Sequence, residues 1–188
     1  MKLIAISGGI GSGKSVVSRV LTTMGYDVYD CDSHARSIID NDKTLQQRIA
    51  TDICSEAVVD DRIDRKRLAE VVFNDSEALQ RLNSLVHQAV KDDIAAWASQ
   101  RDRSPLFIET AILYQSGIDM MADEVWEVTA PSQLRLQRAV GRGMDEDDAR
   151  SRMTIQDEYQ AGRCHHNVRS IVNDGNTAVL PQLLSLLD

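Results

Sequence analysis

The chain is poor in several things, and each shortage closes off a reading. Of its 188 residues only three are cysteine, Cys31, Cys54 and Cys164. They are far apart, odd in number and never spaced C-x-x-C, so free thiols in a reducing compartment are the simplest reading. Cys164-His165-His166 lacks the usual zinc spacing, and no second Cys/His cluster completes it, so no metal centre is expected there. No apolar run approaches the roughly 18 residues that a membrane span requires. Three prolines and ten glycines leave no linker rich in either, and the chain has no internal repeat or low-complexity tract. Positive charge is also short: 21 Lys and Arg face 29 Asp and Glu, for a net charge of −8 and a pI near 5.0. That argues against nucleic acid or an anionic membrane as a general partner. The N-terminus leads into an apolar strand rather than a signal peptide, so a cytoplasmic location is expected.

What is present begins at residue 8. Gly8-Gly9-Ile10-Gly11-Ser12-Gly13-Lys14-Ser15 fits the phosphate-cradling pattern G-x-x-x-x-G-K-[ST] at every fixed position. An apolar run, Leu3-Ile4-Ala5-Ile6, precedes it, and Val16 to Met24 carries apolar residues at helical spacing. Glycines let successive N–H groups turn inward to make an anion nest at a helix N-terminus. Gly9, Gly11, Ser12, Gly13, Lys14, Ser15 and Val16 are the expected ATP-binding residues. The Lys14 ammonium can reach the β- and γ-phosphates, and the Ser15 hydroxyl can ligate Mg²⁺.

Apolar content of 43% supports a core, and the length allows one α/β domain with an inserted cap or lid. The second strand is expected at 27–29, with Ser33 capping a helix through Ile39. Residues 43–73 look helical, and Asp75-Ser76 opens a long helix to about Gln100, with Leu79, Leu82, Leu85, Val86 and Val90 on one face. Further strands are expected at 105–108, 125–129 and 169–172. A helix capped by Ser132 should reach about Val140, and a closing helix should run from Asn176 to Leu187. Strands alternating with helices imply a parallel sheet covered on both faces, three layers in all. Ligands in such sheets bind beyond the carboxyl ends of the strands, where Asp30, Asp32 and Glu109 also fall.

Phosphoryl transfer needs the γ-phosphate held in line with an acceptor and its charge neutralised. Asp32 is the candidate base, with helix capping as its alternative. Asp30 could contact Mg²⁺ or water. Glu109 could orient a magnesium-bound water or bind substrate, or simply end its strand. The cations are mostly arginine, 16 against five lysines, and seven arginines fall between Arg135 and Arg169. Arginine suits bidentate phosphate contact. Arg138 and Arg142 share a helix face, and Gly141-Arg142-Gly143 is a plausible hinge into a lid. A solvated, salt-bridged helix pair is the alternative there.

These residues resemble the dephospho-CoA kinase family. The resemblance rests on the loop, on Asp30-Cys31-Asp32-Ser33-His34-Ala35-Arg36 (D-x-D-x-x-A-R) and on Asp64-Arg65-Lys66-Arg67-Leu68 with Val72-Phe73. It continues through Leu82-Asn83-Ser84-Leu85-Val86-His87 (L-N-x-x-x-H) and the lid-like Arg138 to Arg142 and Arg152 to Gln156. Ile171-Val172-Asn173-Asp174-Gly175 completes it. It implies a nucleoside-monophosphate-kinase-like P-loop fold over 1–188, with a helical CoA-binding region at about 33–100 and a lid at about 138–166. The implied reaction is ATP-dependent phosphorylation of the ribose 3′-hydroxyl of dephospho-CoA, with Mg²⁺ as cofactor and a kinase for another small nucleotide or hydroxyl acceptor as the alternative. The implied catalytic residues are Asp32, Lys14, Arg138 and Arg142, and the implied substrate-binding residues are Asp32, Arg36, Arg67 and His87. A monomer is expected. Gln88, Gln115, Val16 and Val168 depart from the family's usual proline, glutamate, threonine and aspartate.

Overall fold

Continuous apolar runs bounded by glycine, proline or charge become strands buried on both faces. The computed structural model describes residues 1–59 and 62–188. In chain order it has β1 (Leu3–Ser7), α1 (Lys14–Thr23), β2 (Val28–Asp30), α2 (Cys31–Asn41) and α3 (Lys43–Asp52). There follow β3 (Val58–Val59), β4 (Arg62–Ile63), α4 (Arg65–Asn74), α5 (Ser76–Ser99), β5 (Leu106–Glu109) and α6 (Leu113–Ser116). The chain closes with β6 (Glu124–Thr129), α7 (Ser132–Val140), α8 (Glu146–Gln160), β7 (Val168–Val172) and α9 (Val179–Leu187). These elements form two compact units, one of residues 1–29 and 103–188, the other of residues 30–102.

The first unit holds a five-stranded sheet in the order β2-β5-β1-β6-β7. β1 pairs parallel with β5 (Ile4 opposite Phe107) and with β6 (Ala5 opposite Val125), and β6 pairs parallel with β7. All five residues of β1 are buried. Ile4, Ile6, Phe107, Trp126 and Val128 pack against Val17 and Leu21 of α1 and Leu183 of α9. The Phe107 ring lies 5.1 Å from Trp126. At the amino edge of the sheet, Glu124 is buried and takes the Trp126 indole N–H at 2.8 Å and the Lys2 ammonium at 2.7 Å. Burial opposes its charge, but the Lys2 and Trp126 hydrogen bonds, with Arg169 nearby, hold its carboxyl below the ordinary range. This acid sits at the end of the sheet away from the glycine loop and serves structure.

The second unit has its own core of Leu45, Ile49, Ala57, Leu68 and Leu85. Each of its helices starts on an aspartate whose carboxylate accepts two backbone N–H bonds: Asp30 for α2, Asp42 for α3, Asp64 for α4 and Asp75 for α5. Trp97 of α5 is half-buried, with the Arg101 guanidinium 4.2 Å from its ring centre.

Several local expectations need correction. Asp30, not Ser33, caps α2; the Ser33 hydroxyl instead donates to the Asp30 carboxylate at 2.6 Å. The 43–73 stretch is not wholly helical, because Val58-Val59 pairs antiparallel with Arg62-Ile63. Leu79 is 41% exposed, and the buried stripe of α5 runs through Ala78, Leu85, Val90, Ile94 and Ala98. Ser132 is not a cap: Pro131, its φ already fixed near helical values, holds that position without a side-chain bond. α9 starts at Val179 because Asp174 first gathers the N–H groups of Asn176 and Thr177 into a turn.

Candidate active site

The glycine loop follows β1 at the carboxyl edge of the sheet. Gly8, Gly11 and Gly13 have positive φ (142°, 75° and 101°), a region that L side chains rarely adopt. There is no room for side chains either. A Cβ at Gly11 would strike the Arg135 backbone, and one at Gly13 would strike the Asn173 amide. Helix α1 begins on Gly13 with no side-chain cap and no acid in its first turn. The positive end of its dipole is therefore left uncompensated by the protein. Ser12 N–H donates to Gly9 O and Val16 N–H to Gly13 O. Among the described residues the N–H groups of Gly11, Gly13 and Ser15 have no protein acceptor, which leaves donors for an anion.

Lys14 lies across the loop, its ammonium donating to Gly8 O at 2.8 Å and Gly9 O at 3.4 Å. The half-buried Ser15 hydroxyl heads α1, and none of the hydrogen bonds of the described residues uses it. A single hydroxyl suits a magnesium ion that takes its other ligands from phosphate and water. Among the described residues no three His, Cys, Asp or Glu side chains are grouped to hold a metal. The Ser12 hydroxyl is buried without a hydrogen-bond partner.

The sequence singles out Arg138 but not its hold on the loop, and it does not single out Asn173 as a site residue. Arg138 sits in α7, and its guanidinium donates to Asn173 O at 3.0 Å and to Gly11 O and Ser12 O at 3.4 Å each. Asn173 follows β7 and donates its amide to Ser12 O at 2.8 Å. Arg138 therefore grips the carbonyl side of the loop, opposite to its N–H side. Asn173 enters the sequence reading only as part of the family resemblance, and nothing in the sequence assigns its amide a partner. Arg142 is exposed in the turn after α7 and is not brought to the loop. Glu109 ends β5 in register with Ile6 and is half-buried.

The remaining candidates lie in the 30–102 unit. Asp30 is committed to capping, since its carboxylate takes Asp32 N–H, Ser33 N–H and the Ser33 hydroxyl. That releases Asp32, which is exposed in the first turn of α2 and has no partner for its carboxylate among the described residues. Arg36 is also exposed, one helical turn on, hence on the same face as Asp32. Arg67 is tied to its own helix start, 3.3 Å from Asp64 and 3.3 Å from Glu56 O. His87 is half-buried in α5; burial, then the charge of Lys91, lowers its pKa from 6.5, so it is neutral at pH 7. His34 pairs with Asp93 at 3.0 Å. His165 is engaged structurally: its ring contacts Ala122 O at 3.1 Å and the Asn167 backbone at 3.0 Å.

Comparison with known proteins adds a family. The family model described as dephospho-CoA kinase matches residues 2–178. A dephospho-CoA kinase of Porphyromonas gingivalis is 36% identical, over 100% of this chain and 94% of its own. A solved protein from Thermus thermophilus superposes with a TM-score of 0.81 at 28% identity, covering 99% of this chain and 95% of its own. The solved dephospho-CoA kinase from Campylobacter jejuni gives a TM-score of 0.68 at 21% identity, over 100% and 96% of the two chains, a likeness of fold.

Proposed function

The chain belongs to the dephospho-CoA kinase family, and from that premise we propose how its residues divide the work of phosphorylating dephospho-CoA with ATP. The activity is that of a transferase in coenzyme A biosynthesis. The observation that carries the reading is the uncapped start of α1, where a glycine loop turns unpartnered N–H groups outward beside Lys14.

The N–H groups of Gly11, Gly13 and Ser15 cradle the phosphates of ATP. Lys14 exchanges its contacts with Gly8 O and Gly9 O for the β- and γ-phosphates. The Ser15 hydroxyl holds Mg²⁺, which draws charge from the phosphate oxygens when bound. Gly9, Ser12 and Val16 complete the loop, Ser12 through its buried hydroxyl and Val16 by closing the first turn of α1. On the acceptor side, Asp32 accepts the proton of the ribose 3′-hydroxyl and aims its oxygen at the γ-phosphorus. Its exposure and lack of a competing partner support that role. Arg36, on the same face of α2, meets anionic parts of dephospho-CoA, with Arg67 and neutral His87 as further contacts. Arg142 closes over the transferring phosphoryl group. Arg138 acts by keeping the loop in shape, as its three loop-side carbonyl contacts support.

No helix among the described residues is long and apolar enough to cross a membrane. ATP as co-substrate fits a cytoplasmic setting. The test offers purified protein ATP, Mg²⁺ and either dephospho-CoA or a panel of nucleosides, nucleotides and sugars, and measures ADP release. Dephospho-CoA should be turned over far faster than any other acceptor. Release no faster with it than with water would overturn the reading.

A further inference from the structure

Two successive peptides of the phosphate loop, one on each side of the Ile10 Cα, are held by side chains without a task in the proposed reaction. Ile10 N–H donates to Gln156 Oε1 at 2.7 Å, and Ile10 O accepts from Arg135 Nε at 3.0 Å. The Arg135 side chain is only 11% exposed, and its outer nitrogens form a forked pair with Asp157 at 3.1–3.3 Å. Gln156 and Asp157 are neighbours on α8, and Arg135 belongs to α7. The two helices thus meet on the backbone of a single residue, Ile10.

The glycines flanking Ile10 fit the same arrangement. A Cβ on Gly9 would run into the Arg135 guanidinium, and one on Gly11 into the Arg135 backbone. Two of the loop's glycines are thereby needed for the approach of α7, whatever the phosphate requires. With the Gly9–Ile10 peptide held at its N–H and the Ile10–Gly11 peptide held at its C=O, neither can flip freely, and a flip of the second would turn the Gly11 N–H out of the nest. Fixing them in the free protein removes an ordering cost that nucleotide would otherwise meet on binding.

We infer that Gln156 is a positioning residue: with Arg135 and Asp157 it clamps the backbone on both sides of Ile10, pre-forms the phosphate loop for ATP, and makes the placement of α8 depend on the state of the loop. The kinetic part of this inference rests on the kinase reading; the structural part does not. Coupling of this kind is reciprocal. What α8 does for nucleotide affinity, nucleotide does for the order of α8.

The test combines steady-state kinetics with amide exchange over residues 8–13 and 146–160 of the full chain. Gln156→Ala should speed exchange of the loop in nucleotide-free protein. It should raise KM for ATP about three- to tenfold, the worth of one hydrogen bond, with kcat changed less than about twofold and KM for dephospho-CoA unmoved. Gln156→Glu keeps an acceptor for Ile10 N–H but adds negative charge near the triphosphate. It should restore loop protection while still binding ATP weakly, a split that a packing role would not produce. Asp157→Asn removes a charge from the fork and should move both readouts the same way by less, which keeps the test alive if Gln156→Ala folds poorly. Wild-type exchange and wild-type KM for ATP in Gln156→Ala would overturn the inference, as would a fall in kcat at unchanged KM. If the wild-type chain turned over no dephospho-CoA, the kinase reading would fail on its own, and loop exchange would still decide whether the clamp exists.

Discussion

The helix N-termini of the 30–102 unit and the N-terminus of α1 are built on opposite plans. In the 30–102 unit, α2, α3, α4 and α5 each begin on an aspartate that consumes the first free N–H groups. In the other unit, α1 begins on Gly13, with no cap and no first-turn acid, and the side chains around it bond to the loop's carbonyls instead. A capped terminus is finished by the protein and is indifferent to anions. An uncapped one, supported from behind, is left for a ligand to complete. The contrast also separates two neighbouring acids in one motif. Asp30 is spent on its helix, and the Asp32 carboxylate has no partner among the described residues.

Removing the cation beside the open terminus is the most damaging way to probe this contrast. Lys14→Ala should abolish turnover, a loss of at least about 10²-fold, and weaken ATP binding; near-normal activity would mean that the loop does not carry the triphosphate. The leftover acid comes next. Asp32→Asn should lower kcat by about 10²–10⁴-fold with KM for ATP nearly unchanged, and a drop below about tenfold would reduce Asp32 to positioning. Filling the loop should cost stability. Gly11→Ala places a side chain at φ 75° against the Arg135 backbone and should destabilise by about 1–3 kcal/mol in chemical denaturation. Breaking a finished terminus should be milder and silent in catalysis: Asp42→Ala should cost about 1 kcal/mol and leave kcat alone, so a kinetic defect there would blur the distinction.

The smallest effect is a pH slope. The folded His87 holds its proton less well than the unfolded chain, so folding excludes a proton below pH 6.5. Stability attributable to this site is complete above that pH and declines as pH falls from 6.5 toward the lowered folded value. His87→Gln should flatten this decline in denaturant midpoints measured from pH 7 downward. An unaltered slope would assign it to other groups.

Much of the sheet and of the glycine loop is legible because the signals are local. Leu3 to Ile6, Leu106 to Ile108 and Val125-Trp126 are apolar stretches that a covered sheet accommodates, and the loop motif has four fixed positions. What escaped was non-local or too short to have a period. The Val58-Val59 and Arg62-Ile63 strands are two residues each, so no alternation can be read from them. The sequence points to Ser33 as the cap of α2 and not to Asp30, because choosing between them needs the backbone angle at residue 30. Arg138 was read as a phosphate ligand because a guanidinium suits phosphate, but it suits carbonyl oxygens equally well, and distance along the chain hides which it meets. Gln156 and Asn173 are single polar residues whose partners lie 146 and 161 positions away. Nothing in the sequence near them announces a loop on the other side of the sheet order.

The two tryptophans also have an optical consequence. The chain has only these two, and they fall one in each compact unit: Trp126 fully buried in the sheet, Trp97 half-buried beneath Arg101. A dry indole emits toward the blue and one near water toward the red, so the protein carries a separate fluorophore in each half. Trp97→Phe leaves a reporter of the sheet, and Trp126→Phe leaves one of the helical unit. With them, melting of the unit that holds the phosphate loop can be followed apart from melting of the unit that holds Asp32, without attaching any dye.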